Sequence, residues 1–244
     1  MSSGQKYALI TGGNKGIGLE TARQLSRLGI TVILGCRDAV RGQSAADGLR
    51  REGLSVDVVQ LDVTDAASIS ASAAIVGKRY GKLDILVNNA GWLDYQADGP
   101  GSAVKPETLR TSMEINFVGT VAVTQAYLPL LKAAPAARIV NLSSILGSLA
   151  EHADPNSPIY QSKFLAYDAA KAAVNMFTNH LAHELRGTKI KVNAAHPGWV
   201  KTDMGGAEAP MEVVDGARTS VMLATLDENG PTGGYFHMGV HMRW

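Results

Sequence analysis

Short apolar runs alternate with stretches of helical periodicity along the whole chain, and few folds accept that pattern. Tyr7-Ala8-Leu9-Ile10 leads into a helical spacing of Ile17, Leu19, Ala22, Leu25 and Leu28 that stops at Gly29. Ile30 to Leu34 reads as a buried, β-branched strand, and Asp38 is placed to cap a helix over 39–51. Further strands are expected at 56–61, 83–87, 138–142, 190–194 and 233–236, and helices at 66–79, 106–132, 164–186 and 211–226. The strands are apolar on both faces, so both faces must be covered, and the helices are long enough to serve as crossovers. The reading is an α/β fold: a doubly wound parallel sheet with helices on both sides, in one domain over 1–244. No internal repeat or Pro/Gly/Ser linker divides it.

Composition narrows the function. Lys plus Arg is 23 and Asp plus Glu is 22, a net charge of +1, so no nucleic acid or anionic membrane is expected as a partner. No apolar run reaches the ~18 residues of a membrane span. The first residues lack the basic start and apolar block of a secretory leader. Cys36 is the only cysteine, which excludes an internal disulfide framework and a cysteine metal cluster. A reducing, cytoplasmic setting is therefore expected. No metal is expected either, since His180 and His183 share a helix without an H-E-x-x-H pattern. Glycine, at 26 of 244 residues, exceeds the usual share of ~7% and is not low-complexity, so it has to be located.

Part of it lies in the first strand-to-helix turn, Thr11-Gly12-Gly13-Asn14-Lys15-Gly16-Ile17-Gly18. Gly12, Gly16 and Gly18 let the backbone turn sharply and come close to a ligand. The helix that follows offers free N–H groups and a positive dipole end to a pyrophosphate. The turn is not an NTPase phosphate loop, because no G-K-[ST] follows. Farther on, Tyr167 and Lys171 stand four apart on an expected helix and share a face. A free phenol, with a pKa of ~10, is a poor acid–base catalyst at neutral pH, and a neighbouring ammonium favours its ionised form.

T-G-x-x-x-G-x-G at 11–18, N-N-A-G at 88–91, S-S at 143–144, Y-x-x-x-K at 167–171 and P-G at 197–198 occur in order. Together they resemble the short-chain dehydrogenase/reductase family over essentially the whole chain. The wording T-G-G-N-K-G-I-G-L with R-D-x-x-R-G at 37–42 is similar to its carbonyl reductase branch. The resemblance implies a Rossmann fold, a seven-stranded sheet in the order 3-2-1-4-5-6-7, and a dinucleotide across the C-terminal edge of the strands. It also implies an NADP(H)-dependent reductase of ketones or aldehydes, running reversibly with secondary alcohols. Lys15, Arg37 and Arg41 lie where the family reads a ribose 2′-phosphate, and a guanidinium can hold one through two parallel bonds. Asp38 competes as an NAD-type ribose contact, but capping the next helix is its favoured role.

The resemblance assigns cofactor contact to Gly12, Asn14, Lys15, Gly16, Ile17 and Gly18, to Asp62 and Val63, and to Asn88, Ala90 and Gly91. It adds Pro197, Gly198, Val200 and Thr202, as well as Tyr167 and Lys171 themselves. An ordinary helix cap is the other role open to Asp62. The catalytic group it implies is Asn116, Ser144, Tyr167 and Lys171, with Ser143 as the alternative serine. Asn116 is implied to hold a helix irregularity. Substrate contact is expected from Trp92, Leu93, Tyr95, Ile145, Leu146, Tyr160 and Trp199, on loops. His196 is open between lining the site and packing a loop.

Ser144 and Tyr167 are 23 positions apart, more than in many members. The extra segment, 151–163, holds Pro155 and Pro158 and reads as a loop, so its Tyr160 and Lys163 are not taken as a second catalytic pair. With the 199–210 loop it is expected on the substrate side. Such an insertion can also cover a face that relatives use for assembly, which leaves monomer and homo-oligomer both open. Two other functions share this sequence pattern: a non-catalytic NADP(H) sensor, and a lyase or epimerase with a further acid–base residue.

Overall fold

The computed structural model describes residues 4–244; the three residues before them, part of the stretch read for a leader, lie outside the described residues. The strands are β1 (Tyr7–Thr11), β2 (Thr31–Cys36), β3 (Val56–Gln60), β4 (Ile85–Asn88), β5 (Ala137–Leu142), β6 (Ile190–Ala195), β7 (Tyr235–His237) and β8 (Val240–His241). They form one sheet in the order β3-β2-β1-β4-β5-β6-β7-β8. The first seven positions of that order are parallel, as the resemblance implies, and β8 adds an antiparallel edge. His237 pairs with Val240 across Met238 and Gly239, whose φ values are 47° and 84°. Two consecutive residues with positive φ make a tight hairpin turn. Met-Gly is not the Asn-Gly or Asp-Gly pair that advertises such a turn, so the sequence showed seven strands and not eight.

The helices are α1 (Gly16–Arg27), α2 (Ala39–Arg51), α3 (Ala66–Tyr80), α4 (Pro106–Met113), α5 (Gly119–Ala133), α6 (Leu149–Ala153), α7 (Leu165–Glu184) and α8 (Val213–Ala224). Successive strand residues face opposite sides of the sheet. Ala8, Ile10, Val32, Leu34 and Val87 pack with Ala22, Leu25, Leu49 and Leu223 of α1, α2 and α8. Leu9, Ile33, Leu86, Ile139 and Val192 pack with Ile69, Val123, Tyr127 and Leu181 of α3, α5 and α7. This is why the strands read as unbroken apolar runs: each fully buried aliphatic side chain is worth about 1.5–3 kcal/mol on either face. Among the described residues no helix is long and apolar enough to cross a membrane.

The helical stretch expected over 106–132 contains a π-helical turn, Glu114–Val118, between α4 and α5, an irregularity at Asn116 of the kind the resemblance implies. The structure corrects one expectation. The segment read as a loop from 151 begins instead as α6, because Ser148 Oγ accepts from Glu151 N at 3.1 Å and caps it. The prolines then turn the chain, as expected.

The register aligns the strand ends. Ile10 lies beside Val87, Asn88 beside Asn141 and Leu142 beside Ala195. The residues that leave β1, β4, β5 and β6 therefore collect along one edge of the sheet.

Candidate active site

The glycine turn at that edge is held by bonds within the protein. Thr11 Oγ1 accepts from Asn89 N and Ala90 N, both at 2.9 Å, and Asn89 Nδ2 donates to Thr11 O at 2.8 Å and Gly12 O at 3.3 Å. Gly12 and Gly16 have φ values of 63° and 53°, a region that favours glycine. A Cβ on Gly18 would lie 2.5 Å from Asn89 Nδ2, so the third glycine serves strand-to-helix contact. Helix α1 has no side-chain cap and no acidic residue in its first turn. Its leading N–H groups and dipole suit an anionic ligand, and the cradle fits a dinucleotide pyrophosphate. Asn14 and Ile17 lie in the same turn, half-buried.

The cations of the turn are distributed differently from a simple cluster. Lys15 pairs with Asp203 at 2.6 Å, and Arg41 with Asp38 at 3.4 Å. Arg37 is exposed directly after β2 and forms no ion pair among the described residues. Exposed pairs of this kind are worth little, ~0–1 kcal/mol, and leave Lys15 and Arg41 free to exchange partners. Asp38 caps α2, accepting from Val40 N at 2.9 Å and Arg41 N at 3.0 Å, as the sequence suggests. Asp62 is not a helix cap: it accepts from Thr64 N and Oγ1, and Asp65 caps α3. Val63 packs against Gly119, where a Cβ would meet Val63 O at 2.7 Å. Asn88 points into the core, donating to Thr124 Oγ1 at 2.9 Å and Asn141 Oδ1 at 2.8 Å. Ala90 and Gly91 follow; a Cβ on Gly91 would stand 3.1 Å from Asn116 Oδ1 and 3.7 Å from Lys171 Nζ.

Asn116 sits inside the π-helical turn and is buried. Its Nδ2 donates to Trp92 O at 2.8 Å and Ser112 O at 3.0 Å, and its Oδ1 accepts from Trp92 N at 2.9 Å. The two serines after β5 diverge. Ser143 Oγ donates to Asn175 Oδ1 at 2.6 Å in the core, whereas Ser144 caps the short 3₁₀ turn Ile145–Gly147, its Oγ accepting from Leu146 N at 3.2 Å, and faces Tyr167. Lys171 is buried, with Nζ donating to Leu142 O at 2.8 Å and standing 5.4 Å from the Tyr167 ring centre.

The electrostatics differ from the sequence expectation. Burial pushes the Tyr167 phenol up, and the Ser144 hydrogen bond opposes this only in part. The neighbouring ammonium does not dominate, because burial also lowers Lys171, to about 8. Tyr167 is thus a protonated phenol, poised to give a proton. Next to it, burial raises Asp168 to about 7.

His196 is a packing histidine: its Nδ1 accepts from Ile145 N at 3.2 Å, and burial lowers it to about 3. Pro197 leads into Gly198, whose φ is 92° and where a Cβ would meet Met211 Sδ at 2.1 Å. Val200 is buried against Gly216, and Thr202 Oγ1 accepts from Gly205 N at 3.0 Å. Of the expected substrate residues, Trp92, Leu93, Ile145 and Leu146 are half-buried beside the catalytic group. Tyr95 packs edge-on against Phe164, at 5.2 Å. Tyr160 lies under the Lys163 ammonium at 5.2 Å, and Trp199 is exposed, its Nε1 donating to Gly205 O. Thr11, Asn89 and Asp98, which the sequence reading did not single out, hold the backbone of the glycine turn and of the α7 start. The second asparagine of N-N-A-G was the available signal for Asn89.

The short chain dehydrogenase family profile matches residues 6–212. The chain is 39% identical to human carbonyl reductase [NADPH] 1, over 96% of each chain. It is 30% identical to (+)-neomenthol dehydrogenase of Capsicum annuum, over 95% of each. Among solved structures it resembles NADPH-bound carbonyl reductase from chicken fatty liver, with a TM-score of 0.86 and 32% identity over 98% of this chain and 99% of that one. Salutaridine reductase from Papaver somniferum gives 0.82 and 31%, over 96% of this chain and 100% of that one.

Proposed function

Since the chain belongs to the short-chain dehydrogenase family, we propose that it is an NADPH-dependent carbonyl reductase acting reversibly on neutral ketones or aldehydes and the matching secondary alcohols. The observation that carries this reading is Tyr167: a buried phenol facing Ser144 and one helical turn from buried Lys171, whose ammonium stands 5.4 Å from its ring centre. The relatives named for NADPH support the choice of cofactor.

The dinucleotide, when bound, supplies or takes up the hydride. The chain's residues supply the rest. The amides of Gly16, Ile17 and Gly18 would hold the pyrophosphate, and Arg37, with Lys15 and Arg41, would hold the 2′-phosphate. Ser144 donates to the carbonyl oxygen, and Tyr167 delivers its proton to that oxygen as negative charge develops there. Lys171 stabilises the phenolate left behind and is placed to hold the nicotinamide ribose. Asn116 fixes the floor through Trp92. The half-buried Trp92, Ile145 and Leu146 favour an apolar substrate.

The test is loss of NADPH absorbance with a panel of ketones, aldehydes and quinones. Tyr167→Phe removes turnover while NADPH affinity stays, and Arg37→Ala raises KM for NADPH far more than for NADH. Tight NADPH binding with no turnover on any carbonyl refutes the reductase and favours a sensor. Equal effects of Arg37→Ala on the two cofactors refute the 2′-phosphate assignment.

A further inference from the structure

Helix α7 carries both Tyr167 and Lys171, yet the residue in front of it, Phe164, gives it no side-chain cap. The N–H groups at such a start need acceptors. Leu165 N donates to Gly99 O at 3.0 Å, and Asp168 N to Phe164 O at 2.8 Å. The two between them, Ala166 N and Tyr167 N, donate to the two carboxylate oxygens of Asp98, at 3.0 and 2.9 Å, across 68 and 69 positions of sequence. Gly99 N also donates to Asp98, at 2.8 Å, which fixes the carboxylate's direction. A negative group at this end is also favoured by the helix dipole.

The other end of the same loop is tied as well. Trp92 exchanges two backbone hydrogen bonds with the Asn116 side chain, and the Tyr95 ring packs on Phe164. The segment 92–99 therefore bridges two members of the catalytic group.

We propose that Asp98 is a positioning residue for Tyr167, and that it makes the substrate loop and the proton donor one rigid piece. This rests on the reductase reading. By accepting from the Tyr167 backbone N–H, the Asp98 carboxylate sets where Tyr167 stands relative to Ser144. Proton and hydride transfer demand close alignment, and a misplacement of about 1 Å can cost about 100-fold in rate.

The test uses Asp98→Ala and Asp98→Asn in the full chain. In Asp98→Ala, kcat falls about 10–100-fold and the solvent isotope effect on kcat rises, while NADPH affinity holds. Asp98→Asn recovers part of the rate, because its amide oxygen still accepts one N–H and its NH₂ cannot accept the other. Amide exchange at residues 165–168 quickens about tenfold in Asp98→Ala. That measurement needs no turnover, so a quickened exchange in a chain that reduces no carbonyl refutes the reductase reading and leaves the cap standing. An unchanged kcat, a loss confined to KM, or unchanged exchange overturns the proposal. Should Asp98→Ala fail to fold, the isosteric Asp98→Asn carries the same readouts.

Discussion

Gly18→Ala isolates the packing that shapes the cofactor cradle. A Cβ at this buried position would lie 2.5 Å from Asn89 Nδ2 and 2.8 Å from Gly12 O. The first atom is anchored by its 2.8 Å bond to Thr11 O, and the second is backbone, so neither yields easily. Overpacking of this kind costs about 1–3 kcal/mol. Loss of the Asn89 hydrogen bond adds about 0.5–1.5 kcal/mol. Alanine's better helix propensity offsets about 1 kcal/mol. The net loss is about 0.5–3.5 kcal/mol, and at ~2–4 °C per kcal/mol the melting temperature falls by about 1–14 °C. The NADPH dissociation constant rises as well, because Gly12 must move. Thermal melting and a fluorescence titration with NADPH measure both effects. In a double-mutant cycle, Gly18→Ala with Asn89→Ala loses less than the sum of the single variants, by more than about 0.5 kcal/mol. A melting temperature within about 1 °C of the parent, or strict additivity in the cycle, refutes the reasoning.

Ser144→Ala lowers kcat by about 100-fold with little change in melting. Ser143→Ala, which empties the bond to Asn175, costs about 1–3 kcal/mol of stability and spares kcat; the reverse outcome in paired kinetics and melts exchanges the two roles. Burial raises Asp168 from 3.8 to about 7 in the folded chain. The folded state then binds the extra proton, so this contribution to stability is full below the unfolded value and is lost as pH rises through 7. Asp168→Asn flattens that part of the pH dependence in urea unfolding from pH ~4 to ~7, and an identical slope in both proteins refutes it. Gly48, inside α2, has open space where a Cβ would go, its nearest neighbour being Arg51 Nη2 at 3.9 Å. Gly48→Ala therefore raises stability by about 0.5–1 kcal/mol, and a fall in melting temperature contradicts this.

What the sequence revealed and what it hid divide by the range of the interaction. Asp38 was legible as a cap because its acceptors and donors lie two and three residues apart. Asp98 does the same work for α7 from 68 positions away, and no local pattern marks it. The glycines of the first turn were legible as a group, but Gly18 was read as facing a ligand, and its constraint is Asn89, just past the end of β4. Ser143 and Ser144 could be ordered only by resemblance. In the fold, alternate side chains at a strand end part company, so one enters the core and the other faces Tyr167. The spacing of Tyr167 and Lys171 announced a pair. It could not announce that burial, rather than the ammonium, would govern the phenol.

That last point reaches the chemistry. A carboxylate partner would hold Lys171 cationic and cancel its field; the Leu142 carbonyl holds it at 2.8 Å without cancelling it. Burial moves Lys171, Asp168 and His196 each toward its neutral form, to about 8, 7 and 3. The full ion pairs stand outside, as in Lys15 with Asp203, Arg41 with Asp38 and Arg243 with Glu151 and Asp154. With no carboxylate among the described residues paired to Lys171, negative charge growing on a substrate oxygen would feel the Ser144 and Tyr167 hydroxyls and the Lys171 ammonium with little screening. Burial makes Tyr167 the weaker acid when the site is empty of charge, so proton transfer would depend on the poorly screened charge that grows on the oxygen. The 92–99 bridge holds the Tyr167 backbone, and the α6 segment, clasped by Arg243 and by the bond from Ala150 N to Trp244 O, reaches Asp168 through His152 at 3.3 Å. Wetting the site by loosening either would return Tyr167 and Lys171 toward their ordinary values and screen the growing charge that draws the proton.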